Sequence, residues 1–240
     1  MAEFRKPPPL GIAGTAILFG FAAVLLYAAT HWLIPFLGSR THWEPVLLWF
    51  LAGGLGVFLP LLLCGGILLR LEGTARQPDW WPDRLWFRPM TAADWLTAAA
   101  GTLGVIVCGA VTMIVLRLVF GEVKLHPSFL KMEPLTPDRY WILAVWLPFW
   151  LVNIFGEEIL WRGIVLPRQE SAFGRWAWVA NGGGWLLLHL AFGPIILLTL
   201  WPMTFLLPYL VQRNRNAWIG VVMHAAVNGP GFIAVAFGLV

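Results

Sequence analysis

The sequence predicts an all-α fold, a polytopic bundle of membrane-spanning helices that forms a single domain over residues 1–240. Three observations lead to this prediction. Of the 240 residues, 59% are hydrophobic and only 12% are charged, whereas about a quarter of the residues in soluble domains are charged. The mean hydropathy is +0.76. Apolar stretches of about 20 residues, long enough to cross a bilayer as helices, recur along the whole chain.

These stretches predict about seven transmembrane helices, or eight, and leave little of the chain for a soluble domain. The first stretch is too long for the apolar part of a signal peptide, so we expect it to remain as the first helix. Cys64 and Cys108 lie singly in apolar stretches, which predicts neither a disulfide framework nor a thiolate metal site. The glycines of "GGG" (182–184) are small enough to let helices approach closely. The stretches cover approximately residues 11–36, 46–69, 94–119, 140–168, 176–192, 194–211 and 217–239.

The distribution of basic residues favours one orientation. With the N-terminus inside, ten Lys and Arg residues fall in cytoplasmic loops and five on the other side, and cytoplasmic loops are typically the more basic. We therefore expect a multi-pass protein of the bacterial inner membrane with a cytoplasmic N-terminus. Sixteen tryptophans suit anchors at the lipid interface. Basic loops account for the net charge of +4, so membrane lipid is an expected partner and nucleic acid is not.

Six polar residues inside the predicted spans are candidates for a functional site, because an ionisable side chain at membrane depth is costly and suggests a function. A rise of about 1.5 Å per residue from the nearest basic turn places Glu157 about 16 Å deep and His189 about 21 Å deep. His224 and Asn228, on the last helix, lie about 14 and 20 Å deep. Three helices thus bring polar groups near the middle of the bilayer. The six residues are Glu157, Glu158, Arg162, His189, His224 and Asn228.

The spacing of these residues suggests how they are arranged. Glu158 and Arg162 are four residues apart on one helix, so they can pair directly. Glu157 points about 100° away from Glu158 and lacks that partner. Because burial disfavours its charged form, Glu157 is a candidate general base. His224 and Asn228 are also four residues apart, so both present polar groups to one side of the last helix.

Three short motifs follow one another within residues 140–230. "EEILWR" (157–162) is an E-E-x-x-x-R motif, "WLLLH" (185–189) is similar to an F-x-x-x-H motif, and "HAAVN" (224–228) is an H-x-x-x-N motif. Their order and approximate spacing resemble the CAAX prenyl-protease and bacteriocin-processing family of intramembrane glutamate proteases. Each motif alone is weak, whereas three in order within spanning segments are a strong signal. Trp185 stands where the family usually has Phe, which alters the shape of the substrate pocket and keeps it aromatic.

The resemblance implies an endopeptidase with a catalytic core at residues 140–230 and no cofactor. Glu157, with His189, would activate a water that attacks the scissile carbonyl. His224 and Asn228 would donate hydrogen bonds to the developing oxyanion. Glu158 and Arg162 would hold the helix and the first glutamate in place. The implied partner is a peptide or protein substrate: a lipidated CAAX C-terminus, a bacteriocin leader or the C-terminal sorting tail of an exported protein.

The same residues allow other interpretations. Glu158 and Arg162 alone would equally suit a structural ion pair. Two histidines and a glutamate can also form a catalytic zinc site, although the sequence has no H-E-x-x-H helix. Outside enzymes, the chain could be a binding or immunity-type membrane protein that keeps the fold without cleavage. A transporter is disfavoured, because the first half of the chain has no polar cluster to match the second.

Overall fold

The computed structural model describes residues 7–73, 81–123, 127, 129–130 and 132–239. Of the residues described, 85% are helical and none lies in a strand. Among them, six helical segments are long and apolar enough to cross a membrane. These findings confirm the predicted all-α, polytopic bundle. The six segments are Ile12–Thr41, Pro45–Glu72, Ala92–Phe120, Trp141–Phe192, Pro194–Asn214 and Ala217–Ala236.

Short π-helical and 3-10 turns interrupt, join or precede the α-helices. The π-helical turns are Ala29–Leu33, Gly54–Phe58 and Glu158–Val165, and the 3-10 turns are Pro137–Arg139, Gly174–Trp176 and His189–Phe192. The α-helices are α1 (Ile12–Ala28), α2 (Ile34–Thr41), α3 (Pro45–Gly53), α4 (Leu59–Glu72), α5 (Trp81–Arg84), α6 (Ala92–Phe120), α7 (Trp141–Glu157), α8 (Leu166–Phe173), α9 (Ala177–Leu188), α10 (Pro194–Asn214) and α11 (Ala217–Ala236).

The fourth segment, Trp141–Phe192, contains two of the predicted spans. Its 52 residues would measure about 78 Å as one straight helix, more than twice the thickness of the hydrocarbon core. The chain instead turns at Gly174, whose φ of +56° lies in the left-handed region that glycine adopts without strain. After the turn, the Asn181 side-chain amide donates to the Trp161 carbonyl, 3.0 Å away. The predicted spans 140–168 and 176–192 are therefore two helical parts of one segment, and they pack against each other.

Glycines allow α9 to pack closely against its neighbours. A Cβ added to Gly182 would lie 2.6 Å from the Thr204 carbonyl oxygen of α10, and one added to Gly184 would overlap the Phe19 ring of α1. Gly183 has nothing within 4 Å of that position. The expected packing role of "GGG" is thus confirmed for the first and third glycines, which bring two helices against the one that carries Trp185 and His189.

By contrast, α6 lies at the edge of the bundle. Only 11% of its most apolar 18-residue window is buried, and Leu118 is 80% exposed. The helix begins with a capping box, in which Thr91 and Asp94 each accept a hydrogen bond from the other's backbone N–H. Its start near Asp94 is thereby confirmed. An apolar, exposed helix of this length suits direct contact with lipid acyl chains.

Charged residues collect at the two ends of the bundle. At one end, called the Arg-rich end, Arg84, Arg175, Arg213 and Arg215 line a cavity of about 940 Å³. At the opposite end Arg139 pairs with Glu44. Five residues of the orientation count lie outside the described residues: Arg5, Lys6, Arg76, Lys124 and Lys131.

A buried ion pair joins the Arg-rich end to the centre of the bundle. The Arg84 guanidinium donates from Nε and Nη2 to the Glu72 carboxylate at 2.8 and 2.7 Å. Its Nη1 donates to the Gly163 carbonyl at 3.1 Å. Since Gly163 lies in the π-helix Glu158–Val165, this contact fixes one end of the segment that carries the predicted ion pair.

Candidate active site

The two adjacent glutamates lie where α7 passes into a π-helix. Glu157 is the last residue of α7, and Glu158 is the first of the π-helix Glu158–Val165. A π-helix bonds residue i to i+5, so it changes which side chains face inward, and such turns are frequent at functional sites. Both glutamates are buried here, with 2% and 0% of their surfaces exposed.

Glu158 joins the π-helix to α11. Its Oε1 accepts from Arg162 Nη1 at 3.1 Å, which confirms the pair expected from the four-residue spacing. The same oxygen lies 2.9 Å from His224 Nδ1. Because a carboxylate can only accept, we infer that Nδ1 of His224 carries the proton. One carboxylate thus fixes an arginine of its own helix and a histidine of another.

Glu157 faces the other nitrogen of the same histidine. Its Oε2 accepts a hydrogen bond from the Trp185 indole at 3.2 Å and lies 3.8 Å from His224 Nε2. The His224 ring therefore lies between the two glutamates, with Nδ1 toward Glu158 and Nε2 toward Glu157. Glu157 and His224, which the sequence predicts to act together, are thus adjacent.

Trp185 contacts most of the cluster. The Arg162 guanidinium carbon lies 3.6 Å from the centre of its ring, a cation–π contact. The rings of His189 and His224 meet it edge-on at 5.7 and 5.4 Å. Trp185 is only 2% exposed, and its indole N–H bonds to Glu157. In the structure it positions charged groups, and its role in shaping a substrate pocket stays a prediction.

The remaining two predicted residues lie at the margin of this cluster. His189 is half-buried and has Nδ1 2.7 Å from the Trp185 carbonyl, so Nδ1 donates and Nε2 carries a free lone pair. His189 forms no hydrogen bond or ion pair with Glu157; Trp185 lies in contact with both. Asn228 is exposed, one turn beyond His224, and makes no hydrogen bond to the described residues.

Sequence reasoning missed the glycine that makes room for Glu158. Gly220, on α11, lies one turn before His224, and a Cβ added there would be 2.5 Å from Glu158 Oε2. The four-residue spacing from His224 places both on one face of α11, which is the one signal the sequence offered. It also missed Asn153, which is four residues before Glu157 on α7 and 8% exposed.

Hydrogen bonds from neighbouring helices support the site. Asn181 of α9 donates to the Trp161 carbonyl at 3.0 Å and to the Gln169 side chain at 2.9 Å. Gln169 in turn donates to Thr15 of α1 at 3.1 Å. Arg162 keeps Nε and Nη2 without a hydrogen-bond partner among the described residues. The buried guanidinium is therefore held chiefly by Glu158 and by the face of Trp185.

The zinc alternative requires two histidines and a glutamate around one point. Within the described part of the chain, no three His, Cys, Asp or Glu side chains are grouped in that way. His189 and Glu157 are each in contact with the Trp185 indole. The direct test of zinc dependence is to add a chelator and measure whether activity is lost.

Comparison with known proteins finds one family model that is similar to part of the chain. Residues 139–229 match the family model described as type II CAAX prenyl endopeptidase, Rce1-like. This range contains Glu157, Glu158, Arg162, Trp185, His189, His224 and Asn228. No curated protein and no solved structure matches the chain. Over residues 139–229, the chain is therefore similar to Rce1-like CAAX-type endopeptidases.

Proposed function

We propose that this protein is an intramembrane endopeptidase in which Glu157 activates the attacking water. The observation that carries the proposal is the buried array Glu157–His224–Glu158–Arg162. The family match supports a CAAX-type protease in general, and the glutamate mechanism is inferred from the geometry.

The charges of this array balance. Two carboxylates, Glu157 and Glu158, face one guanidinium, Arg162, and one imidazole, His224. Buried charges persist only when they are paired. With His224 as imidazolium, the four groups sum to zero, and its Nε2–H becomes a hydrogen-bond donor next to Glu157.

These positions suit the following reaction. Glu157 accepts a proton from water, and the water oxygen attacks the carbonyl carbon of the scissile peptide. Nε2–H of His224 and the amide of Asn228 donate to the oxyanion that forms. The C–N bond then breaks, and the leaving nitrogen takes the proton held by Glu157. The free Nε2 of His189 accepts a hydrogen bond from the water and orients it.

Glu158 and Arg162 act as positioning residues. The Glu158 carboxylate accepts from Nδ1–H of His224 and so fixes the orientation of its ring, in the way that a carboxylate orients a catalytic histidine. Arg162 holds that carboxylate and the face of Trp185. Trp185 then directs its indole N–H to Glu157.

We further propose that the substrate is a membrane-associated peptide or C-terminal tail. It would be a prenylated CAAX C-terminus, a bacteriocin leader or a sorting tail. The Arg-rich end would face the cytoplasm of a bacterial inner membrane, because basic loops are retained there.

The test is mass spectrometry of protein termini in membranes that contain the wild type or Glu157→Gln at matched levels, with and without a chelator. We expect new termini that depend on Glu157 and resist chelation. Loss of these termini on chelation would favour the zinc peptidase. Identical termini in both membranes would favour a non-catalytic binding or immunity protein of the same fold.

A further inference from the structure

Helix α7 carries polar groups beyond Glu157. Trp150, Asn153 and Glu157 are spaced by three and four residues, so their side chains follow one face of the helix. From Glu157, this stripe runs away from the Arg-rich end and along α7 toward its start at Trp141. The proposed mechanism uses Glu157 and leaves the other two without a role.

Both of these side chains hold a buried polar atom without a partner. Asn153 Oδ1 and Trp150 Nε1 are inaccessible to solvent and make no hydrogen bond in the described structure. The Asn153 residue as a whole is 8% exposed. A buried, unpaired polar atom costs free energy, so natural proteins rarely keep one without a use.

The stripe lies against the part of α11 that carries the oxyanion donors. At one end, Glu157 is 3.8 Å from His224. At the other, a Cβ on Gly229 would lie 3.2 Å from the Trp150 ring. Asn153 lies between Trp150 and Glu157, as Asn228 lies between His224 and Gly229. The two asparagines are therefore at a similar level on adjacent helices.

We propose that Asn153 and Trp150 form a hydrogen-bonding subsite for the backbone of the polypeptide substrate beside the scissile bond. Asn153 Oδ1 is an acceptor for a backbone N–H, and Trp150 Nε1 is a donor to a backbone carbonyl. This inference rests on the proposed peptidase function.

The membrane gives such a subsite a purpose. An extended peptide in a hydrocarbon environment finds no water for its N–H and C=O groups, and each unpaired group is costly. A substrate that straightens to reach Glu157 must therefore find partners in the protein. A donor and an acceptor three residues apart on one helix can pair with consecutive groups of an extended chain.

The test uses the purified full-length protein and a synthetic peptide that spans a cleavage site found by the terminus experiment. We expect Asn153→Leu and Trp150→Phe each to lower kcat/KM about two- to tenfold, as loss of one neutral hydrogen bond does. The thermal unfolding midpoint should stay unchanged or rise, because each change removes an unpaired buried polar atom. The matched control is Asn181→Leu, which removes the two hydrogen bonds donated by the Asn181 side-chain NH2 and should therefore lower that midpoint.

A second probe identifies the pairing directly. Peptides with one backbone amide replaced by an ester lose one N–H at a chosen position. At the position paired with Asn153, the ester should slow cleavage by the wild type and have no further effect on Asn153→Leu. A merely structural asparagine would give the same ester effect in both proteins.

Three outcomes would overturn the inference, and they separate it from the proposed function. Wild-type kinetics in both variants would remove the subsite and leave the peptidase intact. Slower cleavage by Asn153→Leu that only follows a fall in its unfolding midpoint would assign a structural role. Absence of any Glu157-dependent terminus would remove the peptidase and the subsite together.

Discussion

Substitution of Gly220 by alanine tests how Glu158 is positioned. The new Cβ would lie 2.5 Å from Glu158 Oε2, whereas a carbon and an oxygen in contact are about 3.3 Å apart. The carboxylate must therefore move by about 0.8 Å. A shift of that size would lengthen the 2.9 Å contact with His224 to about 3.7 Å, beyond the range of a hydrogen bond.

The expected loss of stability can be estimated from these contacts. A hydrogen bond to a charged group contributes about 1.5–3 kcal/mol. Alanine in place of glycine within a helix returns about 0.5–1 kcal/mol. The net destabilisation is then about 1–2 kcal/mol, which lowers the unfolding midpoint by about 2–8 °C for a chain of this size. Because His224 loses the contact that fixes its ring next to Glu157, we expect kcat to fall up to about a hundredfold.

The assay is thermal unfolding in detergent together with cleavage of the identified peptide. Gly183→Ala is the matched control, since Gly183 is also a helical glycine and its Cβ would meet nothing within 4 Å. That variant should cleave normally and unfold at the same temperature or slightly higher. If Gly220→Ala also unfolds and cleaves as the wild type does, the Glu158 carboxylate does not depend on this contact and the reasoning is wrong.

Three further substitutions separate the roles within the cluster. Trp185→Phe keeps an aromatic ring and removes the N–H bonded to Glu157, so kcat/KM should fall about tenfold, equivalent to about 1.4 kcal/mol. An unchanged kcat/KM would show that this hydrogen bond does not serve catalysis. Arg162→Lys keeps the charge and loses the planar stack on Trp185, which should lower the free energy of unfolding by about 1–2 kcal/mol in a denaturation titration. A free energy of unfolding equal to that of the wild type would contradict a stabilising stack of Arg162 on Trp185. Asn228→Ala should lower kcat by about 10²–10³-fold. The unfolding midpoint should not change, because Asn228 is exposed and makes no hydrogen bond to the described residues. An unaltered kcat would exclude Asn228 as an oxyanion donor.

Several features followed directly from the sequence. The fold class was predictable because composition and long apolar stretches leave a chain only one way to satisfy its backbone in lipid, namely as helices. The Glu158–Arg162 pair was predictable because the two residues are neighbours on one helix, so their contact depends on local geometry alone. The constant rise of a helix predicted similar depths for Glu157 and His224, and the two side chains are indeed adjacent.

Other features were decided only by the tertiary structure. Three features depend on how α11 and α9 are rotated against the segment that carries the glutamates. They are the placement of His224 between two glutamates, the stack of Arg162 on Trp185 and the space left by Gly220. Sequence spacing does not specify rotation between helices. Glu157 and Glu158 are both buried, although helical geometry points them about 100° apart, because α4 and α11 both pack against the π-helix that begins at Glu158. The order of residues thus determined the predicted depth and the local pairing of these side chains. The packing of helices determined the contacts between residues that are distant in sequence.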